Sequence, residues 1–142
     1  MVSAEGQTAQ ERLIEEWIRR MSSHDIDALL SLFADEVVYE DVAAGVVNHG
    51  KNELRAFFEG NLASVPDVTF ELTSKVATES RGAAEWVMRG THRGTEVSSA
   101  NRSVEARGAS IFEFADEKIR RCTDYYDLAG LLKQMGLMPA SE

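Results

Sequence analysis

The groups in this 142-residue chain best able to move protons are Tyr39, Asp41 and Asp124. Tyr39 and Asp41 end the stretch Leu32-Phe-Ala-Asp-Glu-Val-Val-Tyr-Glu-Asp41, and Asp124 opens Asp124-Tyr-Tyr-Asp-Leu128. In an extended segment side chains alternate between faces, so Val37, Tyr39 and Asp41 share one face and Val38 and Glu40 the other. Turned inward, the phenol and carboxylate form an acid–base device at an apolar wall, because burial raises a carboxyl pKa towards the range useful for proton transfer. Turned outward, Glu40 and Asp41 end a hydrated strand, the ordinary fate of acidic residues. Farther along, Cys122, Asp124 and Tyr126 share a face. Two carboxylates in one low-dielectric site cannot both ionise cheaply, so one is expected to hold a proton near neutral pH while the other is the base. On this reading one aspartate takes a proton from a carbon acid or from water, and the other, with Tyr39, donates to the developing oxyanion. The structural alternative is an Asp124 that only bonds a loop or helix amide.

The elements that must position these groups follow from pattern. Thr8-Ala-Gln-Glu11 is a capping box that starts a helix, and Leu13, Ile14, Trp17, Ile18 and Met21 form its apolar stripe. Asp25 or a neighbour is placed to cap a second short helix through Ile26, Leu29, Leu30 and Phe33. After the strand Val37–Asp41, the sequence from Val42 to Gly50 reads as a loop, either a pocket rim or a segment tucked on the core. A third helix is expected from Lys51 to Glu59, with Leu54, Phe57 and Phe58 on one side and Gly60 ending it in the left-handed region. Alternation with β-branched residues then predicts strands over 68–79, 83–93, 103–114 and 118–126, joined by short turns and hence antiparallel. Asp127 caps a last helix, Leu128 to Met135, closed by Gly136, with Pro139 beyond. The sum is an α+β fold, a cone-shaped, strongly curved antiparallel sheet wrapped around three N-terminal-half helices and enclosing an apolar pocket. One domain over residues 8–138 is expected, with tails at 1–7 and 139–142.

Trp86, Met88 and Phe112 are bulky and apolar opposite Arg89, Arg93 and Arg107, so their faces are read as inward. The expected pocket wall is Trp17, Phe57, Phe58, Trp86 and Met88, extended along the strands by His92, Ser110, Phe112, Cys122 and Tyr126. Cys122 has no adjacent base and reads as a small apolar filler. The three histidines lack any ligand spacing, so no metal site is expected, and no phosphate loop or dinucleotide fingerprint occurs. No cofactor is implied. The net charge of −9 and pI near 4.8 disfavour nucleic acid and anionic membranes as partners, and a mean hydropathy of −0.26 is that of an ordinary globular protein. A single cysteine rules out an internal disulfide, and no apolar run has signal-peptide or membrane-spanning length, from which a cytoplasmic location is expected.

The order of the 32–41 stretch, His49-Gly50-Lys51 before an aromatic helix, Ile111-Phe-Glu-Phe114, Lys118-Ile119 and Asp124-Tyr-Tyr-Asp-Leu128 resembles the nuclear-transport-factor-2-like superfamily over residues 8–138. Within it the chain is similar to SnoaL-like polyketide cyclases, ketosteroid isomerases and limonene-type epoxide hydrolases. The resemblance puts Asp41 where the isomerases keep their general base, with Val42 replacing the usual proline. Their oxyanion donors, a tyrosine and a protonated aspartic acid, fall near Trp17 and Ser110, neither of which is the same donor. Tyr39 and Asp124 fall where the epoxide hydrolases hold the attacking water, with Asp41 replacing an asparagine. That family's Arg-x-Asp pair falls on Met88 and Gly90 and is missing. SnoaL-like cyclases place their acid–base aspartate at Asp124, and their helper histidine falls near Ser110.

The resemblance and the residues together imply a cofactor-free acid–base enzyme on a hydrophobic cyclic or polyketide- or terpenoid-like small molecule, working by aldol-type cyclisation or isomerisation. Epoxide opening of the limonene type and a non-catalytic ligand-binding or dimerising module are the alternatives. The outward set Arg89, Arg107, Ile111 and Tyr125 is the expected homodimer face.

Overall fold

The structure, a computed structural model, describes residues 7–94 and 101–137. Helix α1 spans Ala9–Ser23, and its capping box is complete, with the Thr8 hydroxyl accepting from the Glu11 N–H and the Glu11 carboxylate accepting from the Thr8 N–H, both at 3.1 Å.

 Its other end is tied down as well: His24 takes the left-handed region (φ 67°) and its Nε2 bonds the Val68 carbonyl at 2.7 Å. Asp25 caps α2 (Ile26–Leu30) by accepting from the Ala28 N–H at 3.0 Å. Then come β1 (Phe33–Asp41), β2 (Val46–His49), α3 (Gly50–Ser64), β3 (Thr69–Ala77), β4 (Arg81–His92), β5 (Arg102–Ala115), β6 (Lys118–Tyr126) and α4 (Leu128–Gln134). Asp127 caps α4 through the Gly130 N–H, and Gly136 follows it at φ 75°.

Four features differ from expectation. Phe33 starts β1 instead of ending α2, because a parallel partner reaches back that far, pairing Phe33 with Ile119. The segment read as a loop carries β2, whose Val46 and Val47 pair antiparallel with Asp41 and Glu40. Gly60 lies within α3 and does not end it, since the helix continues to Ser64. The helix cost of a glycine, about 1 kcal/mol, is offset by the burial of Phe58 and Val65 on either side of it. The fourth difference is the sheet itself, expected to be wholly antiparallel. Its order is β2-β1-β6-β5-β4-β3, and β1 runs parallel to β6. No hairpin links those two strands, so nothing local dictates their relative direction.

Register shifts in the β1–β6, β3–β4 and β5–β6 pairs bend the sheet. Against it α1 packs on β3, α3 on β1 and α4 on β5. The fully buried side chains Ile14, Trp17, Phe33, Val37, Tyr39, Leu54, Phe112 and Ile119 fill the space between. Alternation is obeyed on β1, where Val37, Tyr39 and Asp41 are buried and Val38 and Glu40 only partly so. Among the described residues no helix is long and apolar enough to cross a membrane. Residues 1–6 and 139–142 of the expected tails, residue 138 of the expected domain, and residues 95–100 of the connection after β4 lie outside the described residues. Gln7 is bonded to Glu15 and Arg12 of α1.

Leu54 is completely buried where α3 meets the sheet. Leu54→Ala is expected to cost about 2–5 kcal/mol, read as a lower urea midpoint with an unchanged slope.

Candidate active site

Asp41 and Asp124 are direct partners in the parallel β1–β6 ladder, and Tyr39 is the partner of Cys122. Neighbouring parallel strands lie about 4.8 Å apart, so the two carboxylates leave the sheet side by side. Each is held by a tyrosine from the other strand. Tyr39, completely buried, donates its hydroxyl to Asp124 Oδ2 at 2.6 Å, and Tyr126 donates to Asp41 Oδ2 at 2.8 Å. Asp124 Oδ1 accepts from the Ser110 hydroxyl at 2.5 Å, with the Cys122 thiol 3.5 Å away. Ser110 in turn accepts from the Trp86 Nε1 at 2.9 Å, so its only proton is directed at Asp124. Asp41 Oδ1 accepts from the Ala44 N–H at 2.9 Å in the β1–β2 connection.

Burial is the main reason that the Asp124 carboxyl is raised, to about 6. The hydrogen bonds from Ser110, Tyr39 and Cys122 favour its charged form and limit the rise, and the neighbouring Asp41 adds to it. The result is a carboxylate poised close to neutral pH. Burial first, and then the negative charge of Asp124, push the Tyr39 phenol well above its ordinary value, and Tyr126 is raised mainly by burial and its bond to Asp41. Both tyrosines therefore stay protonated donors. Burial pushes the Cys122 thiol up too, in keeping with an inert filler. Tyr39 was expected to donate to a ligand oxyanion; its proton is committed to Asp124 instead.

These groups stand at one side of a cavity of about 180 Å³. Tyr39, Asp41 and Asp124 line it, as do Trp17, Phe57, Phe58, Trp86, Met88 and Tyr126 from the expected wall. His92, Ser110, Phe112 and Cys122 do not line it. Strand alternation gave their side correctly for Ser110, but Trp86 lies across Gly108, where any Cβ would overlap its indole, and covers the hydroxyl it bonds. Phe112 is enclosed by Trp17 and Phe114, with ring centroids at 5.0 and 5.9 Å. Cys122 lies fully buried against Tyr39 in the ladder, and His92 is buried beyond Gly90, whose close contact with Val65 walls off that end of β4.

Several wall residues were not foreseen. Arg20, His24 and Asp25 come from the end of α1 and the start of α2, Asn61 and Leu62 from the extension of α3 past Gly60, and Leu131 and Met135 from the last helix. The four-residue spacing of Leu131 and Met135 is a helical-face signal that the sequence does carry. Arg20 is bonded to Glu16, the Ala28 carbonyl and Ser31, and so is not a free cation in the wall. No cluster of three metal-ligating side chains occurs among the described residues.

Residues 14–122 match the family model described as SnoaL-like domain. No curated protein matches the chain. Among solved structures, a proposed SnoaL-like polyketide cyclase from Shewanella denitrificans aligns over 93% of this chain and 100% of its own, with 15% identity and a TM-score of 0.81. AclR, a proposed hydroxylase from Streptomyces galilaeus, aligns over 94% of this chain and 88% of its own, with 21% identity and a TM-score of 0.78. A protein of ketosteroid isomerase-like fold from Catenulispora acidiphila, solved with trimethylamine, aligns over 89% of this chain and 93% of its own, with 24% identity and a TM-score of 0.76. At these identities the likeness carries the fold.

The raised Asp124 carboxyl has a consequence for stability. An unfolded aspartate titrates near 4, so between about pH 4 and 6 the native state holds more protons than the unfolded state, and stability falls as pH rises. The group's contribution is fully present below about pH 4 and is lost through about pH 6, a change of about 3 kcal/mol. Urea unfolding across pH 4–7 should show this slope in the native protein and its absence in Asp124→Asn.

Proposed function

Because the chain belongs to the SnoaL-like family, we propose that it is a cofactor-free acid–base enzyme acting on a hydrophobic cyclic or polyketide- or terpenoid-like small molecule. The observation that carries this reading is Asp124, a buried carboxylate with a pKa of about 6 at the wall of an apolar cavity, fixed by two hydroxyl donors beside a second aspartate. Asp124 is the base. It removes a proton from carbon next to a ligand carbonyl, and the electron pair moves onto the carbonyl oxygen to give an enolate. Returning the proton to a different carbon completes an isomerisation; attack of the enolate carbon on a second carbonyl forms the carbon–carbon bond and an alkoxide, which takes the proton back from Asp124 to complete an aldol-type cyclisation. Its Oδ2 accepts only the Tyr39 hydroxyl and keeps a lone pair for the incoming proton. Tyr39 and Ser110 position the base, and Asp41 tunes it by like charge.

Proton abstraction is favoured over epoxide opening because Met88 is an apolar wall and Gly90 is packed against Val65, so neither position offers an acid to the leaving oxygen. Homodimerisation belongs to the same proposal. Tyr125 remains 48% exposed on the outward face, beside a groove that also takes in Arg107 and Ala109.

Exchange of the α-protons of 1-tetralone for deuterium, followed by mass spectrometry, tests the chemistry without knowledge of the natural substrate. The rate should rise with pH through about 6, the direction required of a base that must be ionised. Asp124→Asn should lower it on the order of 10²–10⁴-fold, and Asp41→Asn should move the limb to lower pH by removing the neighbouring charge. An Asp124→Asn protein with the native exchange rate sinks the assignment. Sedimentation equilibrium should give twice the 15.7 kDa chain mass, and Tyr125→Asp should halve it.

A further inference from the structure

The cavity wall holds two indoles, and only one has a partner. Trp86 Nε1 donates to Ser110, whereas Trp17 Nε1 is buried with no hydrogen-bond partner. Trp17 is 1% exposed and lines the cavity. Buried donors are almost always satisfied, so an orphan in a ligand-sized cavity asks for an acceptor from outside the chain. The other orphan among the described residues, His92 Nδ1, does not line the cavity.

Trp17 meets Phe112 edge to face, and Phe112 is two residues from Ser110 on the same face of β5. That separation is about 7 Å along the strand, and Ser110 bonds Asp124. Base and indole both line the cavity. A cavity of about 150 Å³ holds benzene, so this one, at about 180 Å³, suits a ligand of one or two rings. The side-by-side aspartates disfavour an anion, an N–H donor disfavours a cation, and a neutral acceptor meets both conditions. We infer that the Trp17 indole N–H is the cavity's donor to a ligand carbonyl oxygen, and that the ligand is a neutral cyclic ketone of one or two rings. The inference rests on the acid–base reading above and supplies the oxyanion donor that Tyr39, turned to Asp124, does not.

The chain has two tryptophans, so a ¹H–¹⁵N correlation spectrum shows two indole signals, and Trp86→Phe tells which is Trp17. Titration with 1-tetralone should shift the Trp17 indole proton downfield, while tetralin, which has the same rings and no carbonyl, should not. In Trp17→Phe the ratio of tetralone to tetralin affinity should fall about 2- to 10-fold. A Trp17 signal unmoved by saturating tetralone, an unchanged ratio in Trp17→Phe, or no binding of either probe at millimolar concentration would overturn the inference. The native-protein titration decides it even if Trp17→Phe fails to fold. Asp124→Asn separates the two proposals: lost proton exchange with the Trp17 shift retained supports both, exchange retained with the shift present overturns only the base assignment, and exchange lost with no shift overturns only the indole.

Discussion

The site depends on one pairing, the parallel ladder that sets Asp41 of β1 beside Asp124 of β6. Every other feature of the carboxylate cluster follows from it. The two strands run in the same direction, so the tyrosine two residues before one aspartate and the tyrosine two residues after the other fall on opposite sides of the pair. Tyr39 therefore reaches Asp124, and Tyr126 reaches Asp41. A slip of β1 by one residue would turn Tyr39 and Asp41 to the outer face and leave Glu40 in place of Asp41. The register is held by Val37, Tyr39 and Cys122, whose burial in the core makes such a slip costly.

Around that pair the molecule sets polar order against an apolar background. Ser110, Tyr39 and Cys122 surround Asp124 with groups that donate and none that is cationic, and Trp86 donates in turn to Ser110. Donors alone stabilise the carboxylate enough for it to ionise near neutrality, where a lysine or arginine partner would have pulled its pKa to the bottom of the range and made it a weak base. Gly108 has its reason here, since only a residue without a side chain lets the Trp86 indole lie over β5 and reach Ser110.

Much of this was legible in the sequence because it rests on local rules. The Thr8–Glu11 capping box, the Asp25 and Asp127 caps, the alternation that buries Tyr39 and Asp41, and the placement of Asp124 on the same side are consequences of spacing within a few residues. What escaped depends on contacts between distant segments. Gly60 looks like a helix end, but α3 runs past it to Ser64 and ends at Val65, which is buried in the core. The parallel direction of β1 leaves no turn to read. Ser110 and Phe112 have the right strand parity for the cavity, but parity says nothing about the Trp86 and Trp17 rings that cover them.

The parallel junction also bears on how the molecule comes to exist. Residues 42–123 separate the two aspartates, and β6, which carries the second, pairs on its other edge with β5. Closing so long a loop is among the slow steps of folding, because its entropy is lost before the contact gives anything back. During synthesis the first two thirds of the chain can form α1, the β1–β2 hairpin and α3 while Tyr39 still lacks its acceptor. The cluster is thus absent from any nascent or truncated form that ends before β6, and the charge pair is buried only once the sheet that shields it is whole.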